Sequence, residues 1–153
     1  MLYLDSSALV KGYTREKGSI SVGNLLNSEE EICTSVLSYA EVLAAFREKY
    51  RARGLTEDAY SKAKDRFIQD WVLRVNALQM DTGTMAAIPG LVEQFPLKGA
   101  DAVQLSAALW LRDMSRLVWY EREDRNVEFW VSDQNLARYA RQSNLDVYDP
   151  EHL

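Results

Sequence analysis

One cysteine, one histidine and three prolines in 153 residues leave several kinds of chemistry out of reach. Cys33 cannot close an internal disulfide, and its place inside Ile32-Cys33-Thr34 reads as that of a small core residue. With His152 alone, no pair of imidazoles is available for a two-histidine acid–base mechanism. No glycine-rich phosphate loop with its lysine is present, and no cysteine–histidine nucleophile pair. No apolar run approaches the ~18 residues that span a bilayer. The segment Met1-Leu2-Tyr3-Leu4-Asp5 lacks the basic region and long apolar stretch of a secretion signal, so a reducing cytoplasm is the expected setting. What is present, 47% hydrophobic and 27% charged residues, suits one globular domain over 1–153 with a core that needs no staples.

The chain alternates between short apolar runs and segments of helical periodicity. Strands are expected at 2–4, 31–34, 74–79, 127–131 and 145–148. Helices are expected at 6–11, 19–26, 36–53, 56–71, 82–94 (broken near Pro89-Gly90), 100–114 and 133–141. Gly54 stands where the left-handed cap of the 36–53 helix belongs. Strands separated by helices predict βαβ units, hence an α/β domain with a mostly parallel central sheet covered on both faces. Residues 112–128 break the rhythm. Leu117-Val118-Trp119-Tyr120, followed by a charged run, reads as an added strand, a hairpin arm or an exposed loop, and its role stays open.

Four carboxylates occupy equivalent places, each at the end of an apolar run or one helical turn beyond it. Asp5 follows Leu2-Tyr3-Leu4, Glu41 follows Ile32 to Leu37 by a turn, Asp101 opens the apolar stretch to Trp110, and Asp133 follows Val127 to Ser132. In an open parallel sheet those places share one edge, where ligands bind. Converging carboxylates repel: two charges ~4 Å apart cost about 4 kcal/mol at an effective dielectric near 20. A divalent cation relieves this, and an all-oxygen ligand set points to Mg²⁺ or Mn²⁺. Taken singly, Asp5 and Asp133 fit a helix N-cap equally well, with Ser7 and Ser132 as site-supporting or merely capping hydroxyls. Glu41 shares a helix face with Leu37, Ala44 and Ala45, where an unpaired charge is costly. Asp101 aligns with Leu105 and Ala108; Gly99 before it permits close backbone approach, and Lys98 can neutralise an anion.

The net charge of −5 comes from 23 acidic and 18 basic residues; setting aside the four acids leaves 19 against 18. A local basic patch can then still meet phosphate. Between Arg47 and Arg66 seven basic residues face four acidic ones, with Tyr50 and Tyr60 interleaved. Arg47, Arg51, Arg53 and Lys62 are candidate RNA contacts; a pair of solvated helix faces reads equally well.

In order along the chain, Leu4-Asp5-Ser6-Ser7-Ala8, Thr34-Ser35-Val36-Leu37-Ser38-Tyr39-Ala40-Glu41-Val42, Lys98-Gly99-Ala100-Asp101-Ala102-Val103-Gln104-Leu105 and Val131-Ser132-Asp133-Gln134-Asn135-Leu136 resemble the PIN-domain family. Within it the chain looks like the VapC toxins of prokaryotic toxin–antitoxin pairs. The likeness departs at Gln104, where such toxins often carry histidine. It implies a three-layer α/β/α PIN-like fold and a Mg²⁺- or Mn²⁺-dependent endoribonuclease. Asp5, Glu41, Asp101 and Asp133 would be the catalytic and metal-binding acids: the three aspartates hold one ion that activates water, and Glu41 helps with a second ion or steers that water. The implied partners are an RNA substrate, a cognate antitoxin and, as a homodimer, a second copy; no membrane is involved. An antitoxin arginine would enter among the acids, its apolar residues lying between segments 31–53 and 56–71. Two other readings stand beside this one: an inactive PIN-like binding module, and a metal-dependent phosphatase or DNA nuclease using the same acids.

Overall fold

Strand β1, Leu2–Leu4, is wholly buried and lies at the middle of the sheet. In the computed structural model, which describes residues 1–118 and 126–152, it is flanked by β2 (Ile32–Ser35) and β4 (Glu128–Trp130). Outside these lie β3 (Val75–Leu78) and β5 (Asp146–Tyr148), in the order β3-β2-β1-β4-β5. Every pairing is parallel, with Leu2 opposite both Ile32 and Glu128. The sheet expected to be mostly parallel is therefore parallel throughout among the described residues.

Among the described residues seven α-helices cover it: α1 (Ser6–Leu9), α2 (Ser19–Asn27), α3 (Leu37–Arg51), α4 (Glu57–Leu73), α5 (Ile88–Gln94), α6 (Gly99–Val118) and α7 (Gln134–Gln142). Side chains alternate across a strand, and the core divides accordingly. Leu2, Leu4, Ile32 and Trp130 join Val22, Val42, Phe46 and Phe67 from α2–α4, while Tyr3, Cys33 and Phe129 join Leu91, Leu105, Ala108 and Leu136 from α5–α7. Three layers result, α/β/α. Burial also pushes the Cys33 thiol up to about 12, as suits a core residue.

The chain adds β2 and β3 to one side of β1, then crosses back to place β4 on the other. Because crossovers are right-handed, this reversal puts α1–α4 on one face and α5–α7 on the other. The reversal also creates a switch point between β1 and β4, whose carboxyl ends open a crevice. No helix among the described residues is long and apolar enough to cross a membrane.

Three local expectations need correction. The left-handed residue after α3 is Arg53, at φ 59°, not Gly54. Gly54 N–H bonds the Lys49 carbonyl (2.8 Å) and Arg53 N–H that of Tyr50 (3.0 Å). That pair of bonds defines a cap whose left-handed position lies one residue earlier than the glycine. The expected 82–94 helix is shorter, because Asp81 Oδ1 accepts from the backbone of Gly83 and Thr84 and holds turns until Ile88. Pro89 then sits in the first turn of α5, where its missing N–H costs nothing. Leu117 and Val118 are exposed residues ending α6, not a strand; the remainder of that run, 119–125, lies outside the described residues.

A left-handed arginine is strained where a glycine is not. Arg53→Gly is expected to raise stability by up to about 1 kcal/mol, read as a higher urea midpoint at unchanged slope; a lower midpoint would contradict this cap assignment.

Candidate active site

The crevice at the switch point collects two of the four acids directly. Asp5 leaves β1 with its N–H still bonded to the Trp130 carbonyl of β4 (2.9 Å), and its carboxylate caps α1 by accepting from Ser7 N–H (2.9 Å). It is only 3% exposed. Burial pushes its carboxyl up to about 6, Glu41's charge pushes the same way, and the Ser7 hydrogen bonds pull against both. Asp133 leaves β4 and caps α7, its Oδ1 accepting from the N–H groups of Asn135 and Leu136 at 2.9 Å each. Both acids are thus N-caps, and both stand at the sheet edge where ligands gather.

Glu41 and Asp101 reach the same edge from helices. Glu41 is half-buried in the second turn of α3. Asp101 is half-buried in the first turn of α6; burial raises its carboxyl, Asp133's charge adds to that, and Lys98 opposes. An added Cβ at Gly99 meets nothing within 4 Å, so close backbone approach is not what this glycine provides. The acids are therefore coupled in pairs, Asp5 with Glu41 and Asp101 with Asp133.

Hydroxyls and amides tie the pairs together. Ser7 Oγ accepts from the backbone N–H of Ser132 (2.9 Å) and of Asp133 (3.2 Å), joining the first turn after β1 to the end of β4. Ser132 Oγ itself is buried without a partner among the described residues. Behind Glu41 lies a buried chain the sequence did not announce. Ser35 N–H donates to the Tyr3 hydroxyl (3.1 Å), which donates to Gln104 Oε1 (2.8 Å). Gln104 Nε2 donates to Ser38 Oγ (2.8 Å) and to Glu41 Oε2 (2.7 Å). In the sequence Gln104 stood out only as the place where the family likeness departs from histidine, with no role assigned; Tyr3 and Ser38 were given none either.

The basic residues are not brought to the acids. Arg51 lies ten residues beyond Glu41 on α3, about 15 Å along the axis. Arg47 lies over the rings of Tyr50 and Tyr60, which stack on each other at 5.1 Å. Lys62 pairs with Asp58 (2.7 Å), and Arg51 and Arg53 are exposed at the tip of the α3–α4 hairpin. The seam between α3 and α4 is filled by Tyr39, Phe46, Phe67 and Trp71. A concavity of about 420 Å³ lies instead beside it, lined by Tyr13, Leu55, Ala59 and Ala63 with Arg15, Lys62 and Arg66.

Among the described residues no three histidine, cysteine, aspartate or glutamate side chains stand as a ready metal cluster. The donor chemistry nevertheless fits a hard divalent cation. Asp5 is a buried carboxylate that meets a second acid and, among the described residues, no cationic side chain. Carboxylate oxygens in that situation are the ligands Mg²⁺ and Mn²⁺ take.

The Asp5 shift has a definite sign. Unfolded, the carboxyl titrates near 3.8; folded, near 6. Between those values the folded state binds more protons, so stability falls as pH rises through the window, by at most about 3 kcal/mol. In chelator, urea midpoints of the wild type should decline from pH 4 to pH 6 and then level. Asp5→Asn should remove this decline and be the more stable protein at pH 7. Parallel curves for the two proteins would show that Asp5 titrates normally.

The PIN domain profile matches residues 2–121. Two relatives are a ribonuclease named VapC45 from Mycobacterium tuberculosis (strain CDC 1551 / Oshkosh) and one named VapC49 from Mycobacterium tuberculosis (strain ATCC 25618 / H37Rv). Each is 34% identical over 119 residues, which is 77% of this chain and 81% of the relative. A profile match over most of the chain, with relatives of this similarity, establishes that it belongs to the PIN-domain family.

Proposed function

We propose that this protein is a Mg²⁺- or Mn²⁺-dependent endoribonuclease and the toxin of a toxin–antitoxin pair. The observation that carries the reading is Asp5: a buried carboxylate at the switch point, facing Glu41 and joined through Ser7 to Asp133, in a chain similar to VapC ribonucleases. Asp5, Asp101, Asp133 and Glu41 would hold the ion. When bound, it lowers the pKa of water and shields charge on the phosphodiester.

The chain's own residues supply position. Asp5 and Asp133 are locked by their capping bonds, and Ser7 fixes the distance between the strand ends that carry them. Glu41, held by Gln104, steers the attacking water, whose proton passes to solvent. The water oxygen bonds to phosphorus, the bond to the 3′ oxygen breaks, and that oxygen takes a proton from solvent and leaves as the hydroxyl. The products carry a 5′-phosphate and a 3′-hydroxyl, with the ribose 2′-hydroxyl taking no part.

An active nuclease in its own cytoplasm needs an inhibitor, and a protein antitoxin fills that role. An arginine from it suits the acids, since a guanidinium is planar and always charged. The exposed Ile68, Val72 and Leu73 on α4 offer an apolar strip to a second copy. Sedimentation at tens of micromolar should show a dimer; a strict monomer would remove the homodimer from the proposal.

Asp101→Asn keeps the shape of α6 and removes a ligand charge. RNA cleavage should be lost, as it should be for wild type in EDTA, with circular dichroism unchanged. Cleavage that survives either treatment would reject the mechanism. DNA and phosphomonoester substrates in the same assay decide between a ribonuclease and the other metal-dependent hydrolases. For the basic hairpin, Arg47→Ala with Arg51→Ala should weaken RNA binding for all sequences and reduce the salt slope by at most about two. An unchanged slope would leave these residues as a solvated face.

A further inference from the structure

We propose that Gln104 is the positioning residue for Glu41, and that Tyr3 sets the direction in which its amide acts. The inference rests on Glu41 being one of the acids that hold the ion.

Direction follows from the hydrogen-bond chain. A backbone N–H only donates, so the Tyr3 oxygen accepts from Ser35 and its own proton is left for Gln104 Oε1. Both Nε2 hydrogens then face the other way, to Ser38 Oγ and Glu41 Oε2. Ser38 in turn pairs with Thr34 Oγ1 (2.6 Å), and Thr34 donates to the Leu4 carbonyl (2.6 Å), which commits the Ser38 proton to Thr34. The chain therefore begins on the backbone of β2, ends on the backbone of β1, and has one branch that leaves it, the bond to Glu41. Its anchors sit on β1, which ends at Asp5, and on the neighbouring β2, so the glutamate is referenced to the sheet rather than to its own helix alone.

A charge-assisted bond of 2.7 Å to Oε2 holds one carboxylate oxygen and decides which is left for an ion. The amide does this without adding charge beside Asp5 and Glu41. Tyr3 and Ser38 are fully buried and Gln104 is 1% exposed. None of the three can touch RNA, so whatever they contribute to cleavage passes through Glu41. Partners of this kind, which orient a ligand without touching the metal, change metal affinity about 10- to 100-fold when removed.

The test compares wild type with Gln104→Met, which keeps length and removes the donor, and Tyr3→Phe, which frees the amide to rotate. Mn²⁺ binding is followed by electron paramagnetic resonance, and RNA cleavage by titration with Mn²⁺, on proteins shown folded by circular dichroism. In Gln104→Met the half-saturating Mn²⁺ should rise about 10- to 100-fold by both readouts, with KM for RNA unchanged. Tyr3→Phe should shift the same way by less. An unchanged Mn²⁺ requirement in folded Gln104→Met overturns the proposal; should that variant not fold, an unchanged requirement in Tyr3→Phe does so. If wild type binds Mn²⁺ but cleaves no RNA, the nuclease reading falls while the resonance titration still decides the role of Gln104. If wild type binds no Mn²⁺, both fall.

Discussion

Placing a carboxylate at the buried end of β1, against a second acid, is the constraint around which this molecule is organised. Asp5 is almost without solvent, and burial together with Glu41 raises its proton affinity. Hydrogen bonds from Ser7 offset part of that cost but do not remove the repulsion. A fold that retains such a group stores unfavourable electrostatic energy at one spot, and a divalent cation is the simplest species that releases it. The parallel sheet makes the arrangement possible, because reversal of chain direction at β1 brings two strand ends and two helix starts to the same edge.

Rigidity behind the acids comes from neutral polar groups. Ser7 bridges the first and fourth strands in sequence through backbone N–H groups, and Gln104 bridges two helices and β1 through buried hydrogen bonds. Neutral donors suit this place, since an added cation would compete for the same carboxylates with the ion we propose. The one buried lysine, Lys11, is kept apart. It is paired with Glu16 (3.2 Å) and Glu151 (2.7 Å), where it fastens the C-terminal turn to the segment after α1.

Much of the frame was readable in advance because it depends on local patterns. Short apolar runs marked β1 and β4, alternation marked β3, and Thr56 with Glu57 and Asp58 marked the start of α4 as a capped helix. The errors arose where local signals compete. Gly54 drew the left-handed assignment that belongs to Arg53, because the cap's hydrogen-bond register, not the residue type, chose the position. Asp81 organised a turn in a stretch whose periodicity looked helical, and Leu117-Val118 was open to strand, hairpin and loop readings because a helix end exposing two aliphatics has no distinctive pattern.

By itself the sequence determined the alternation of strand and helix and the mostly parallel sheet, and it proposed a common edge for Asp5, Glu41, Asp101 and Asp133, since each follows from apolar periodicity and position along the chain. Pairwise coupling, Asp5 to Glu41 and Asp101 to Asp133, was decided only by the tertiary structure. So was the separation of the Arg51–Arg53 tip from the acids, and so was Gln104, a polar residue in an apolar run until Tyr3, Ser38 and Glu41 close around it. The reason is physical: periodicity reports which face of an element is buried, whereas hydrogen-bond direction and charge coupling depend on groups more than a hundred residues apart meeting at a few ångströms.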